Sequence, residues 1–77
     1  MSAREMFEKL GFYEDKNHFS INAIIVYRNE KYEYSLYFDY DKTIDIECVV
    51  SLELLQAINK QVEELGWNER WNKRNIR

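Results

Sequence analysis

Proline is absent from this chain, and glycine occurs only twice, at Gly11 and Gly66. A sequence so poor in both has no stretch that reads as a long flexible linker. Cysteine occurs once, at Cys48, and histidine once, at His18. An intrachain disulfide is therefore excluded, and two such residues cannot build a structural zinc cluster. The longest apolar run is Ala23–Tyr27, far short of the roughly 20 residues a spanning helix needs. Met1-Ser-Ala-Arg-Glu5 lacks the apolar core of a signal peptide. These absences predict a protein of a reducing cytoplasm, with no membrane segment, no metal centre and no cofactor.

What is present is aromatic. Six Tyr, four Phe and two Trp stand among 77 residues, and 45% of the chain is hydrophobic. That excludes a disordered chain. The rings offset the small size, because each buries a large area. One domain is expected over residues 1–67, with a separate tail over 68–77. A body this small has little room for a deep catalytic cleft. Charge is unevenly spread. Residues 1–65 hold 7 Lys/Arg against 13 Asp/Glu, a balance of −6; residues 66–77 hold four cations against Glu69, a balance of +3. An acidic body thus carries a basic, aromatic end.

Tyr32–Tyr40 alternates, with Tyr32, Tyr34, Leu36, Phe38 and Tyr40 on one side and Glu33, Ser35, Tyr37 and Asp39 on the other. Period-2 alternation predicts a strand with one buried and one wet face. Thr43–Val50 alternates as well, with Ile44, Ile46, Cys48 and Val50 inward. From about His18 to Arg28 the chain is apolar on both parities. That pattern fits a central strand, or one with a bulge that switches faces. Arg28–Lys31 and Asp41-Lys42 read as turns, with Asn29 suited to positive φ. A short extra strand is expected near Phe12–Tyr13.

Helices are predicted at both ends. Ser2 with Glu5 forms a capping box, and Ser51 is an N-cap with Glu53 in the first turn. Leu52, Leu55, Ile58, Val62 and Leu65 make the apolar stripe of the second helix. Leu10-Gly-Phe12 and Leu65-Gly-Trp67 are the same glycine stop used twice. The expected fold is α+β: an antiparallel three- to four-stranded meander with the two helices packed on one face, in the order α-β-β-β-α.

Several residues could carry chemistry. Asp39-Tyr-Asp41-Lys-Thr43 matches the Asp-x-Asp-x-Thr of phosphatases in which the first Asp attacks phosphorus. That machinery needs a parallel sheet with helical crossovers, so a hairpin turn with solvated acids is the better reading. A calcium loop starting at Asp39 would want glycine sixth and glutamate twelfth, where Ile44 and Val50 stand. Cys48 shares parity with core residues and reads as a small buried hydrophobe, with His18 the one base that could activate it. Tyr13, Tyr27 and Tyr37 are less committed to the core.

With these segments placed, the chain resembles a group of small uncharacterised proteins from phages and prophages of Gram-positive bacteria. The resemblance lies in Ala3-Arg-Glu-Met-Phe-Glu-Lys-Leu-Gly-Phe12 and in Leu54-Leu-Gln-Ala-Ile-Asn-Lys-Gln-Val-Glu-Glu-Leu-Gly-Trp67. The two blocks cover about a third of the chain. They are mostly helix stripe and helix stop, and carry no catalytic motif. Members mostly end near the Leu-Gly-Trp, so the basic tail departs from the group. The resemblance implies a bacterial cytoplasm and no known activity.

The functional expectation is therefore binding and not catalysis. Glu33, Tyr37, Asp39, Asp45 and Glu47 would form an acidic-aromatic sheet face for a host or phage protein, or for a second copy. The alternative uses Arg70, Trp71, Lys73, Arg74 and Arg77 as a nucleic-acid or oligomer contact, with cations on phosphate and tryptophan on bases.

Overall fold

Two helices pack on one face of a four-stranded antiparallel sheet in the computed structural model of the chain, which describes residues 1–67. Helix α1 spans Ala3–Lys9 and α2 spans Leu52–Glu64; the strands are β1 (Tyr13–Glu14), β2 (Ala23–Asn29), β3 (Tyr34–Asp39) and β4 (Ile44–Glu47). Spatial order follows chain order, β1-β2-β3-β4, as in a meander. This is the expected α+β architecture, with the short strand at Tyr13 as its fourth member.

Local chemistry sets both helix ends. The Ser2 hydroxyl accepts from the Glu5 N–H while the Glu5 carboxylate accepts from the Ser2 N–H, at 3.1 and 2.8 Å. Ser51 caps α2 by accepting from the Leu54 N–H. Each helix then stops at a glycine with positive φ, Gly11 at 90° and Gly66 at 73°. Phe12 N–H donates to Phe7 O and Trp67 N–H to Val62 O, so both stops are the same six-residue closure. The helices are also tied to each other: the Glu64 carboxylate accepts from the Ala3 N–H at 2.8 Å, satisfying a donor that α1 cannot.

The core sits between the helices and the face of β2 and β3 that carries Tyr27, Leu36 and Phe38. Phe7 of α1 stacks on Tyr27 with ring centroids 3.9 Å apart, and Phe38 meets both rings edge-on. Leu54, Ala57 and Ile58 of α2 close the cluster. Rings in stacked and edge-on contact gain beyond their buried area, which lets few residues fill this core.

Several expectations need correction. Strands β3 and β4 are shorter than the alternation suggests, Tyr34–Asp39 and Ile44–Glu47, which leaves Tyr32, Tyr40 and Val50 exposed instead of inward. Phe19 and Ile21 are 98% and 89% exposed, and β2 begins at Ala23, not near His18. Strand β3 ends at Asp39, and beyond Ala23 the pairing continues through one backbone bond only, from the Tyr40 N–H to Asn22 O at 2.9 Å, which leaves Phe19 and Ile21 outside the sheet. The expected alternative of a face-switching bulge does form: Ile24 is its extra residue, since Ala23 pairs with Asp39 and Ile25 with Phe38. Faces therefore switch at Ile24, which puts Tyr27 in the core at 1% exposure instead of leaving it uncommitted.

The buried stripe of α2 is Leu54, Ala57, Ile58 and Gln61, rotated from the expected one; Leu52 and Leu55 are exposed. Gln61 can face inward because its Oε1 accepts a 2.7 Å bond from the Tyr27 hydroxyl. Finally, Asn29 is not a turn residue. It ends β2, buried, while positive φ falls on Glu33 (56°) and Lys42 (66°).

Candidate functional site

The sheet has two faces and two edges, and the register says what each presents. On the face away from the helices, Asp45 lies opposite Tyr37 and Tyr37 opposite Val26; Glu47 lies opposite Ser35 and Ser35 opposite Arg28. The middle of this face is closed by its own contacts. Arg28 Nε donates to Asp15 Oδ2 at 2.7 Å, and Nη1 donates to Ser35 Oγ at 3.2 Å and to the Tyr37 hydroxyl at 3.4 Å. The guanidinium also lies over the Tyr37 ring, 5.7 Å from its centroid. Arg28 holds the Asp15 carboxyl below the usual carboxylate range, helped by the Asn17 backbone N–H.

Of the residues expected to form one acidic-aromatic face, Tyr37, Asp45 and Glu47 share the face away from the helices, while Glu33 and Asp39 fall at its turns. Tyr37 is engaged by Arg28. Glu33 leaves the strand and sits in the β2–β3 turn. Asp39 ends β3 at the β3–β4 hairpin: its N–H donates to Thr43 O, and its carbonyl accepts from Lys42 N–H. Asp41 accepts from the Thr43 N–H and hydroxyl inside the same turn. The Asp-x-Asp-x-Thr stretch is accordingly a hairpin loop, with Lys42 as its left-handed residue. Asp45 and Glu47 remain, exposed, side by side on β4. Arg70, Trp71, Lys73, Arg74 and Arg77 lie outside the described residues.

β4 is the distinctive element. It pairs with β3 on one side, and among the described residues no strand pairs with its other side. Such an edge presents a row of backbone donors and acceptors to any extended segment that approaches. Its helix-side residue Ile46 is 40% exposed, and Val49, just beyond the strand, is 76% exposed. One strand thus offers acids on one face, apolar side chains on the other, and backbone hydrogen bonds between them.

Past the end of β4 the surface dips. A groove of about 270 Å³ runs between the end of α1 and the start of α2, with Phe12, Tyr34 and Leu54 among its lining and Leu10, Tyr32 and Val49 at its sides. Tyr32 and Tyr34 stack at 5.5 Å, and Tyr34 stacks on Phe12 at 6.5 Å. The Asn29 amide spends both ends within the fold, donating to Leu10 O at 3.3 Å and accepting from the Tyr32 N–H at 3.4 Å. Sequence reasoning assigned Tyr32 and Tyr34 to the strand and missed this groove. Its walls come from four separate segments, and only the aromatic pair two residues apart hinted at it.

Cys48 is half-buried against the core, and burial pushes its thiol pKa up, away from nucleophile chemistry. His18 Nδ1 is buried without a hydrogen-bond partner among the described residues. Among those residues no group of three or more His, Cys, Asp or Glu is placed to hold a metal ion, and no helix is long and apolar enough to cross a membrane. No family model, no curated protein and no solved structure matches the chain.

Proposed function

We propose that this is a non-enzymatic protein-binding module, which captures an extended basic segment of a partner protein along the open edge of β4. The observation that carries the reading is that edge, with Asp45 and Glu47 exposed on one face and Ile46 on the other. Strand addition supplies affinity through the main chain and specificity through alternate side chains. A partner strand with Lys or Arg at every second position would face Asp45 and Glu47, and its intervening apolar residues would lie beside Ile46.

Self-pairing is disfavoured on the same grounds. A two-fold axis perpendicular to the sheet at Ile46 would set Asp45 of one copy against Glu47 of the other. Like charges directly opposite are destabilising. A basic partner relieves that repulsion, so the edge favours a different chain over a second copy. The setting consistent with the sequence resemblance is a bacterial cytoplasm, with the partner a host or phage protein.

The test is an amide-shift titration of the full chain with an alternating Lys-Val octapeptide, using an alternating Glu-Val octapeptide as control. Shifts confined to Ile44–Glu47 are expected for the basic peptide alone, weakened by salt and by Asp45→Asn/Glu47→Gln. Equal shifts with both peptides, or none on β4, overturn the reading. The second reading, a nucleic-acid arm at Arg70–Arg77, rests on the basic-aromatic composition of that stretch. It requires salt-sensitive binding that is lost on deleting residues 68–77.

A further inference from the structure

We infer that the groove beyond the end of β4 is the anchor pocket for one large aromatic side chain of the segment that adds to that strand. This inference rests on the edge-binding reading and names what the partner must carry besides its basic alternation.

Position is the first argument. Ser35 pairs with Glu47, the last residue of β4, so Tyr34 lies level with Cys48, where the strand stops. A segment laid antiparallel along β4 starts here, and one laid parallel ends here. Its terminal residue has no further backbone to pair with. Val49, Tyr34 and the groove come next along the surface.

Chemistry is the second argument. The lining's amide and serine side chains are already engaged, the Asn29 amide on Leu10 O and the Tyr32 N–H and the Ser51 hydroxyl on the Leu54 N–H, which leaves the Tyr32 and Tyr34 hydroxyls as polar tips on otherwise apolar rings. The remaining lining is aliphatic and aromatic, and ring faces favour a stacked or edge-on ring. Size is the third. At about 270 Å³ the groove falls below the roughly 300–1,000 Å³ of small-molecule sites, which suits a single side chain. Aromatic anchors seated in such pockets dominate interface energetics. Charge completes the assignment: a segment paired with β4 meets Asp45 and Glu47 on the sheet face opposite the groove, and those acids select basic residues along the same segment that carries the ring.

The experiment extends the Lys-Val octapeptide with tryptophan or alanine at either end and titrates the full chain with each form. The tryptophan form with its ring at Val49 is expected to bind about tenfold or more tightly than its alanine twin. It should also shift the amides of Leu10, Asn29 and Tyr32, which the alanine form leaves in place. Val49→Asn, a change at an exposed position, should remove that gain and leave the alanine form unaffected. Should both forms move β4 amides equally, with the groove amides still, the anchor pocket is refuted while the edge reading stands. Groove shifts without β4 shifts would overturn strand addition, and with it the groove's role as the anchor of an added strand. Silence from both regions would overturn both.

Discussion

The Tyr27 hydroxyl donates a 2.7 Å hydrogen bond to Gln61 Oε1 between the sheet and α2, and both residues are buried. A buried polar atom that loses its partner costs more than the bond contributed. Gln61→Leu and Tyr27→Phe should therefore each lower stability by about 1–3 kcal/mol in urea unfolding. The double variant, with both polar ends gone, should recover part of that loss. Strict additivity would mean the bond does not couple the two elements.

The same hydroxyl sets an alkaline limit. Burial pushes its pKa far above the ordinary value near 10, with Glu14 and Glu64 adding to the effect. A folded pKa raised above the unfolded one means stability is whole below about pH 10. It falls as pH rises further, because the unfolded chain releases the proton first. Tyr27→Phe should flatten the decline in unfolding midpoint between pH 9.5 and 11, taking these limits as roughly one unit around the ordinary value.

Asp15 and Arg28 give the opposite limb. The hydrogen bond from Arg28 lowers the Asp15 pKa, with the Asn17 N–H contributing. A depressed folded pKa stabilises above the unfolded value near 4, and that stability is lost as pH falls through the folded one. Asp15→Asn should give a shallower acid decline below about pH 4. An unchanged acid limb in urea titrations would deny the pair a role.

Backbone strain at the two hairpins is directly testable. Glu33 and Lys42 hold φ of 56° and 66°, a region that costs a side-chain-bearing residue about 1–2 kcal/mol. Glycine removes that cost and loses some of the gain to the unfolded chain. Lys42→Gly should net about 0.5–1 kcal/mol of stability, raising Tm by roughly 2–8 °C. Gly11→Ala should do the reverse, since φ is 90° and the new Cβ would meet the Asn29 amide at 3.1 Å.

The acids of β4 should also guard against self-association. Asp45→Asn/Glu47→Gln removes the repulsion between copies paired through this edge. Sedimentation equilibrium should then show tighter self-association in the double variant than in the parent chain. Identical masses across concentration would mean the acids are not what keeps the edge from pairing.

Element order, both N-caps and both glycine stops were legible in the sequence, because each depends on residues within one turn of each other. Ser2 with Glu5 and Gly11 with Phe12 meet whatever the rest of the chain does. The alternation of Tyr34, Leu36 and Phe38 likewise named the buried side of β3 without help. Tertiary structure decided the rest. Ile24 bulges because the β2–β3 register skips it, and that slip moves Tyr27 into the core. Gln61 turns inward only because a tyrosine waits for it 34 residues away in sequence. Of the residues expected to share one acidic-aromatic face, Glu33 was taken by a turn and Tyr37 by Arg28. Asp45 and Glu47 stand out because β4 is the last strand of the sheet. Which strand ends a sheet, and which segments wall a groove, depends on how distant pieces pack, and no local pattern carries that information.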